Sequence, residues 1–389
     1  MPMYDATDML DFKKKKKRKQ RLIRVVLILF LLAGASAAYL TQDIWLPKIR
    51  NINRQYQTII NDGELAEGNF PIMINSGADY QMDYSGNYLT VFSDSTMYFY
   101  SDEGGLIKHS QHAYTNPVML SVSGRALLYE IGGDEFCLED SNGTVYDQRY
   151  TDRKIMFARL SEEGYTAVVT TSEKYYCEII VYDRKGTSIY ERKCVERVND
   201  ISFREGSEGC VISYISAENG SLVTSVISVD FSEGGSLWSS PGLDTFGLDV
   251  YSYTGGAFLL GMDACGYVDN AGNITSFYRY EADYQGGASS NGQSAVILNN
   301  EAQRQYTLVL FDGGGKEPIM VGQASPLIDV HVADGLAYVM TSEAIFAYDF
   351  TGALRSTAQI NDSYTGFERS GKHIYLKSFN KIDRIDYTS

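Results

Sequence analysis

Most residues in this chain that could do chemistry recur in one phrase: an apolar or aromatic run, then Asp, Glu or Asn, then Gly a few positions on. It reads Phe99-Tyr100-Ser101-Asp102-Glu103-Gly104, Leu138-Glu139-Asp140-Ser141-Asn142-Gly143 and Val181-Tyr182-Asp183-Arg184-Lys185-Gly186. It returns as Val229-Asp230-Phe231-Ser232-Glu233-Gly234, Val268-Asp269-Asn270-Ala271-Gly272, Leu310-Phe311-Asp312-Gly313-Gly314 and Ala347-Tyr348-Asp349-Phe350-Thr351-Gly352. Clustered side-chain oxygens can ligate calcium, and Asp269-Asn270-Ala271-Gly272-Asn273 comes nearest to such a loop. Gly313-Gly314-Gly315-Lys316 has the composition of a phosphate cradle. Both fall at the same point of the repeat, where turn chemistry accounts for them. The acid or amide accepts bonds from N–H groups further on, and Gly supplies the positive φ that closes a bulged hairpin. No metal or cofactor is assigned.

Other constellations are absent from the sequence. It has no Gly-x-Ser-x-Gly elbow and no His-Glu-x-x-His, so no catalytic residue is assigned. His109 and His112 are close, yet an extended chain points them to opposite faces. The cysteines Cys137, Cys177, Cys194, Cys210 and Cys265 lack Cys-x-x-Cys spacing. Four lie in expected strands and Cys194 just beyond one, as small buried hydrophobes do. Cys177 and Cys194 flank one hairpin, but the simplest register sets them two residues apart, so no disulfide is expected.

The elements that carry these residues follow from the repeat. Its Gly anchors are separated by 39, 43, 48, 38, 42 and 38 residues. A period of roughly 40 residues built from short strands and tight turns marks a β-propeller blade. Upstream of each turn hairpin lies a further apolar strand, at 88–92, 126–130, 165–170, 210–215, 257–260, 294–298, 336–340 and 373–377, and an inner strand precedes each. The last unit runs out of chain after Arg384-Ile385-Asp386-Tyr387. Phe70-Pro71-Ile72-Met73-Ile74 is similar to Glu317-Pro318-Ile319-Met320-Val321, an outer strand, and is expected to complete the last blade and remove its open edge. The expected fold is all-β, an eight-bladed β-propeller behind one N-terminal transmembrane helix. Seven blades is the alternative.

The first 24 residues carry nine Lys or Arg, including Lys13 to Lys17, against Asp5, Asp8 and Asp11, a net of +6. Residues 22–40 are apolar apart from Arg24, and 19 residues of helix reach about 28 Å, near the thickness of a hydrocarbon core. The basic cluster predicts residues 1–21 as a cytoplasmic tail, 22–40 as the transmembrane helix and the rest outside. Cleavage at Ala35-Ser36-Ala37 is the alternative. Trp45, Ile49, Ile52, Tyr56 and Ile59 predict a partly helical stalk over 41–69, leaving 70–389 as the propeller. The oligomeric state stays open. The whole chain carries −15, so the remainder carries about −21, which disfavours nucleic acid.

Two resemblances join this reading. Tyr348-Asp349-Phe350-Thr351-Gly352 and Gly235-Ser236-Leu237-Trp238 resemble repeats of the PQQ-like (quinoprotein-like) propellers, which include dehydrogenases and non-enzymatic outer-membrane assembly scaffolds. In the dehydrogenases recurrent Trp docks the blades. Here Trp45 and Trp238 are the two tryptophans, and no vicinal Cys pair is present. The layout is also similar to an uncharacterised family of single-pass β-propeller proteins of Gram-positive clostridia that carry a domain of unknown function.

The expected function is therefore a membrane-anchored extracytoplasmic binding or scaffold module at the cell envelope, with the bilayer and a protein or cell-wall partner. A quinone-dependent or other propeller enzyme, or a surface sensor, is the alternative. A ligand rim is expected on the loops from outer to next inner strand, at Tyr114, Tyr150, Phe246 beside Asp244, Tyr280 beside Glu281, and Tyr364 beside Asp362. Rigid aromatics on loops suit ligand capture.

Overall fold

In the computed structural model each repeat becomes a four-stranded antiparallel sheet, and eight such sheets form the ring. The structure describes residues 70–74, 80–93, 95–232, 234–360, 364–371 and 373–386. The expected tail, transmembrane helix, cleavage site and stalk lie outside these residues. Blade 1 covers 81–111, blade 2 117–149, blade 3 155–194, blade 4 197–239, blade 5 247–279, blade 6 283–323 and blade 7 329–359. Blade 8 takes three strands from 366–386 and its outer strand, Ile72–Met73, from the other end of the propeller. Strand order in every blade runs from inner to outer, as expected, and the count is eight.

Sequence pattern and strand position correspond. The middle strands are covered on both faces by neighbouring blades, so they read as continuous apolar runs rather than alternating ones. Gly256–Gly261 and Cys177–Tyr182 are buried throughout. Outer strands have less cover and alternate, as in Ile274–Arg279. The buried residues consequently fall into wedges between adjacent blades. Val168 and Ile180 pack with Leu127 and Phe136 between blades 2 and 3, and Val226 packs with Leu259 between blades 4 and 5. Ile72, Ile74 and Tyr375 of blade 8 pack with Leu89 and Val91 of blade 1.

The hairpin between third and outer strands behaves as its residues require. Asp183 Oδ1 accepts bonds from Lys185 and Thr187 N–H, both at 2.9 Å, and Asp269 Oδ1 does the same for Ala271 and Asn273. Gly104, Gly143, Gly186, Gly234, Gly272 and Gly352 all have positive φ. The sixth turn differs: Gly313 and Gly315 take the positive φ and the anchor Gly314 does not. Gly314 is needed for space instead, since a Cβ there would lie 2.4 Å from Thr275 Oγ1. Blade 6 also lacks the register shift that the other chain-continuous blades show at this hairpin. One such bulge, at Val181/Tyr182, carries the outer strand of blade 3 along by a position. Cys177 and Cys194 stand directly opposite each other, which corrects the expected two-residue offset, one position of it through this bulge, and Cys194 lies inside the strand. All five cysteines are buried.

Inner strands have a free edge toward the axis, and side chains of the preceding blade satisfy it. Gln81 accepts from Met119 N–H at 2.8 Å and donates to Pro117 C=O at 2.9 Å, while Asp83 accepts from Ser121 N–H. Asp200 accepts from Val250 N–H at 2.8 Å, Asn199 donates to Gly247 C=O, and Asp329 accepts from Phe367 N–H. These bonds join blades 1 to 2, 4 to 5 and 7 to 8 at backbone groups that would otherwise stay unpaired.

Ring closure depends on a two-residue strand, Ile72 opposite Ile382 and Met73 opposite Lys381. Ile72 is 7% exposed and Met73 56% exposed. Ile72→Ala is therefore expected to cost about 2–4 kcal/mol in urea unfolding, and Met73→Ala within about 0.5 kcal/mol. Equal effects would show that the strand does not close the ring.

Candidate functional site

Around the axis the inner strands bring together two charged groups. Asp83, Asp329, His331 and Glu368 come from blades 1, 7 and 8, with His331 Nε2 3.5 Å from Asp329 Oδ2. Across blades 3 to 5, Arg159 Nη2 lies 2.7 Å from Asp200 Oδ1 and 4.0 Å from Asp249 Oδ1. Burial pushes the Asp200 carboxyl up to about 6, against the pull of Arg159. Burial also lifts Glu368 to about 8, opposed by the His331 charge and reinforced by Asp83 and Asp329. For His331 burial disfavours the cation, but its bond to Asp329 and the charge of Glu368 raise it to about 9.

A second group lies between blades 1 and 2 and combines His112, Cys137 and Glu139. His112 Nδ1 is 3.9 Å from Cys137 Sγ, and His112 Nε2 is 3.1 Å from Glu139 Oε1. This is the connectivity of a thiol–imidazole–carboxylate relay. These are also metal-ligand types, with one donor atom from each within 4.8 Å of the others. The surroundings favour a latch between blades. Lys108 and Ser110 bind the other Glu139 oxygen, so both carboxylate oxygens and both ring nitrogens have protein partners. Burial alone would raise Glu139, yet the bonds from His112, Lys108 and Ser110 hold it at about 2. Burial, with the Glu139 charge, pushes the Cys137 thiol up to about 12, far from a thiolate nucleophile. His109 points elsewhere, its ring 6.3 Å from that of Tyr98, in keeping with the opposite-face expectation. Sequence reasoning missed the trio because Cys137 and Glu139 are 25 and 27 positions from His112, on a different blade.

The expected rim residues are placed at five different blade junctions. Tyr114 stacks on His112 at 5.6 Å. The Tyr150 hydroxyl is 2.9 Å from that of Tyr182, and the Tyr280 ring stacks on Tyr284. Tyr364 donates to Asp383 Oδ2 at 2.9 Å. These four are half-buried and engaged in packing or hydrogen bonding at the blade junctions, whereas Phe246 is exposed at 37%.

The same rim nevertheless carries the molecule's loop-borne apolar surface. Tyr175, Tyr176, Ile131, Met262 and Phe379 are exposed on loops between second and third strands, and Leu222 beside such a turn. Val195, Phe246 and Ile328 are exposed on loops from outer to inner strands. The remaining exposed large hydrophobics among the described residues, such as Val145 and Leu354, lie on outer strands. The tight turns of the opposite rim contribute none of them. From Ile131 to Met262 the exposed positions follow one arc over blades 2 to 5. The signal in the sequence was apolar residues in short turns, such as Tyr175-Tyr176, rather than aromatics beside acids.

The opposite rim has a groove of about 370 Å³ between blades 4 and 5, lined by Arg204, Glu205, Trp238, Tyr253, Thr254 and Asn270. Arg204 Nη2 pairs with Asp230 Oδ2 at 3.1 Å. Its walls offer an aromatic surface and polar groups without a nucleophile held by a base.

Comparison with known proteins agrees with the architecture. Residues 67–239, the closing strand with blades 1 to 4, match the model of a family of unknown function (DUF5711). No curated protein matches. The chain is similar in structure to BamB from Moraxella catarrhalis, with 11% identity over 82% of this chain and 98% of that one and a TM-score of 0.53. It is similar to Sqt1 from Saccharomyces cerevisiae, with 9% identity over 79% and 95% and a TM-score of 0.55. A eukaryotic initiation factor aligns with 12% identity over 72% and 78% and a TM-score of 0.50. The family model covers less than half of the chain, and the structural neighbours support the β-propeller fold.

At such identities the likeness carries the fold alone, so the axial charge has to be tested on this chain. Between about pH 4.5 and 8 folded Glu368 keeps a proton that the unfolded chain has released. The native state then binds more protons, and stability falls as pH rises through that window. Glu368→Gln is expected to raise stability by several kcal/mol, on the order of 4, at pH 8 and to leave it unchanged near pH 4. Thermal melts across this range check it; a difference independent of pH would remove the assignment.

Proposed function

We propose that this protein is a membrane-anchored extracytoplasmic propeller that acts as a non-catalytic binding or scaffold module at the cell envelope. The observation that carries the reading is the asymmetry of the two rims. One exposes Tyr175, Tyr176, Val195, Leu222, Phe246 and Met262 along a single arc, and the turns of the other expose no large hydrophobic among the described residues. Apolar side chains on short loops of a rigid ring are what a docking partner can bury.

The closing strand runs from one rim to the other. Phe70 enters at the tight-turn rim, where its ring lies 3.0 Å from the position a Cβ on Gly104 would take. The strand ends at the apolar rim, where Ile74 N–H donates to Asn380 C=O at 2.8 Å. The basic cluster at 13–24 followed by the apolar run at 22–40 is the sequence pattern that supports a membrane anchor.

Crosslinking capture from intact cells tests the proposal. A chain carrying Tyr175→Ser, Tyr176→Ser, Leu222→Ser and Met262→Ser is expected to melt within a few degrees of the parent and to lose partner capture about tenfold or more, a loss of about 1.4 kcal/mol. Protease added outside the cells is expected to digest the propeller and spare the basic tail. Unchanged capture, or a propeller protected in intact cells, would overturn the reading.

A further inference from the structure

Cys177 opens the third strand of blade 3 and Cys194 closes its outer strand, and the register sets them directly opposite each other. They are 0% and 2% exposed and unbonded in this structure. Opposed residues on adjacent antiparallel strands fall within the separation that a disulfide spans without moving the backbone. The interaction between the two facing thiols lowers Cys177 and raises Cys194, which makes Cys177 the better thiolate of the two.

The pair lies beneath part of the apolar rim. Tyr175 and Tyr176 immediately precede Cys177, and Val195, exposed at 73%, follows Cys194. Tyr176 N–H donates to Cys194 C=O at 2.9 Å. The Lys193 ammonium lies 5.9 Å from the Tyr175 ring and the Arg197 guanidinium 5.8 Å from that of Tyr176. Two loops of the rim therefore meet over the two sulfurs.

We propose that Cys177 and Cys194 are an oxidisable pair whose disulfide locks Tyr175, Tyr176 and Val195 into one rigid part of the binding rim. The proposal rests on the rim being the docking surface. The Cys177 thiolate attacks a low-molecular-weight disulfide such as oxidised glutathione and expels one thiolate. Cys194, its proton given to solvent, then attacks the Cys177 sulfur and expels the second. Two protein thiols become one disulfide, and the oxidant, taking up two electrons and two protons, becomes two thiols. Access comes from fraying at the end of the outer strand, the edge of the blade. The bond ties that edge to its neighbour and restricts the unfolded chain.

The test incubates the purified full-length chain with oxidised glutathione and counts thiols by alkylation after unfolding. The chain is expected to lose two of its five alkylatable thiols and to yield a 177–194 crosslinked peptide by mass spectrometry. C177S and C194S should lose no such pair, and C210S should behave as the parent. Amide exchange at residues 172–176 and 195–197 is expected to slow on oxidation, and the melting temperature to rise. Five free thiols after incubation, crosslinking of other cysteines, or a disulfide that leaves exchange at the rim unchanged would overturn the proposal. A pair that oxidises in vitro yet is found reduced in intact cells leaves the dithiol assignment standing and counts against the extracytoplasmic placement instead.

Discussion

A four-stranded blade whose middle strands are apolar on both faces cannot be stable by itself, and this constraint organises the molecule. Each blade has to be covered on two sides, and only another blade offers a matching surface. Burial is accordingly distributed in wedges, such as Leu127 and Phe136 against Val168 and Ile180. An open row would leave two apolar faces in water. The ring closes because Ile72 and Ile74, hundreds of residues from Ile382 and Tyr375, complete blade 8 and pack on blade 1.

Closure creates a second problem at the axis, where inner strands meet edge to edge without room for a further strand. Asp83, Asn199, Asp200 and Asp329 answer it by bonding the backbone of the next blade. Carboxylates that accept N–H bonds hold the junctions but collect charge in a confined space. Arg159 and His331 partly offset it, and the raised Asp200 and Glu368 carboxyls are the residual cost. Polar demand is thus concentrated at the axis and in the hairpins, while the exposed apolar loops belong to one rim.

Much of the fold was legible because it rests on local chemistry repeated in register. In six of the seven phrases Asp or Glu and Gly form the expected bulged turn from their own backbone requirements, and seven full repeats with a terminal three-strand unit led to eight blades. Where packing overrode the local rule, the reading slipped. Gly314 is there for the space beside Thr275 rather than for its φ, and the bulge at Val181/Tyr182 helped align cysteines that a simple hairpin would offset. The candidate site was less legible still. Tyr114, Tyr150, Tyr280 and Tyr364 look like loop aromatics in sequence, but exposure depends on what the adjacent blade brings to the same junction.

By itself the sequence determined the repeating strand-and-turn unit and pointed to eight units, with seven as the alternative, and to the stray strand that closes them. Each follows from residues within a few positions of one another, or from counting. Tertiary structure alone decided which side chains face each other across a junction and which face water. His112 meets Cys137 and Glu139, Cys177 meets Cys194, and Tyr175, Tyr176 and Met262 share one arc of the rim because blade packing and strand register place them there. The turns that recur build the ring, and the binding surface proposed for it lies on loops whose lengths and residues do not recur.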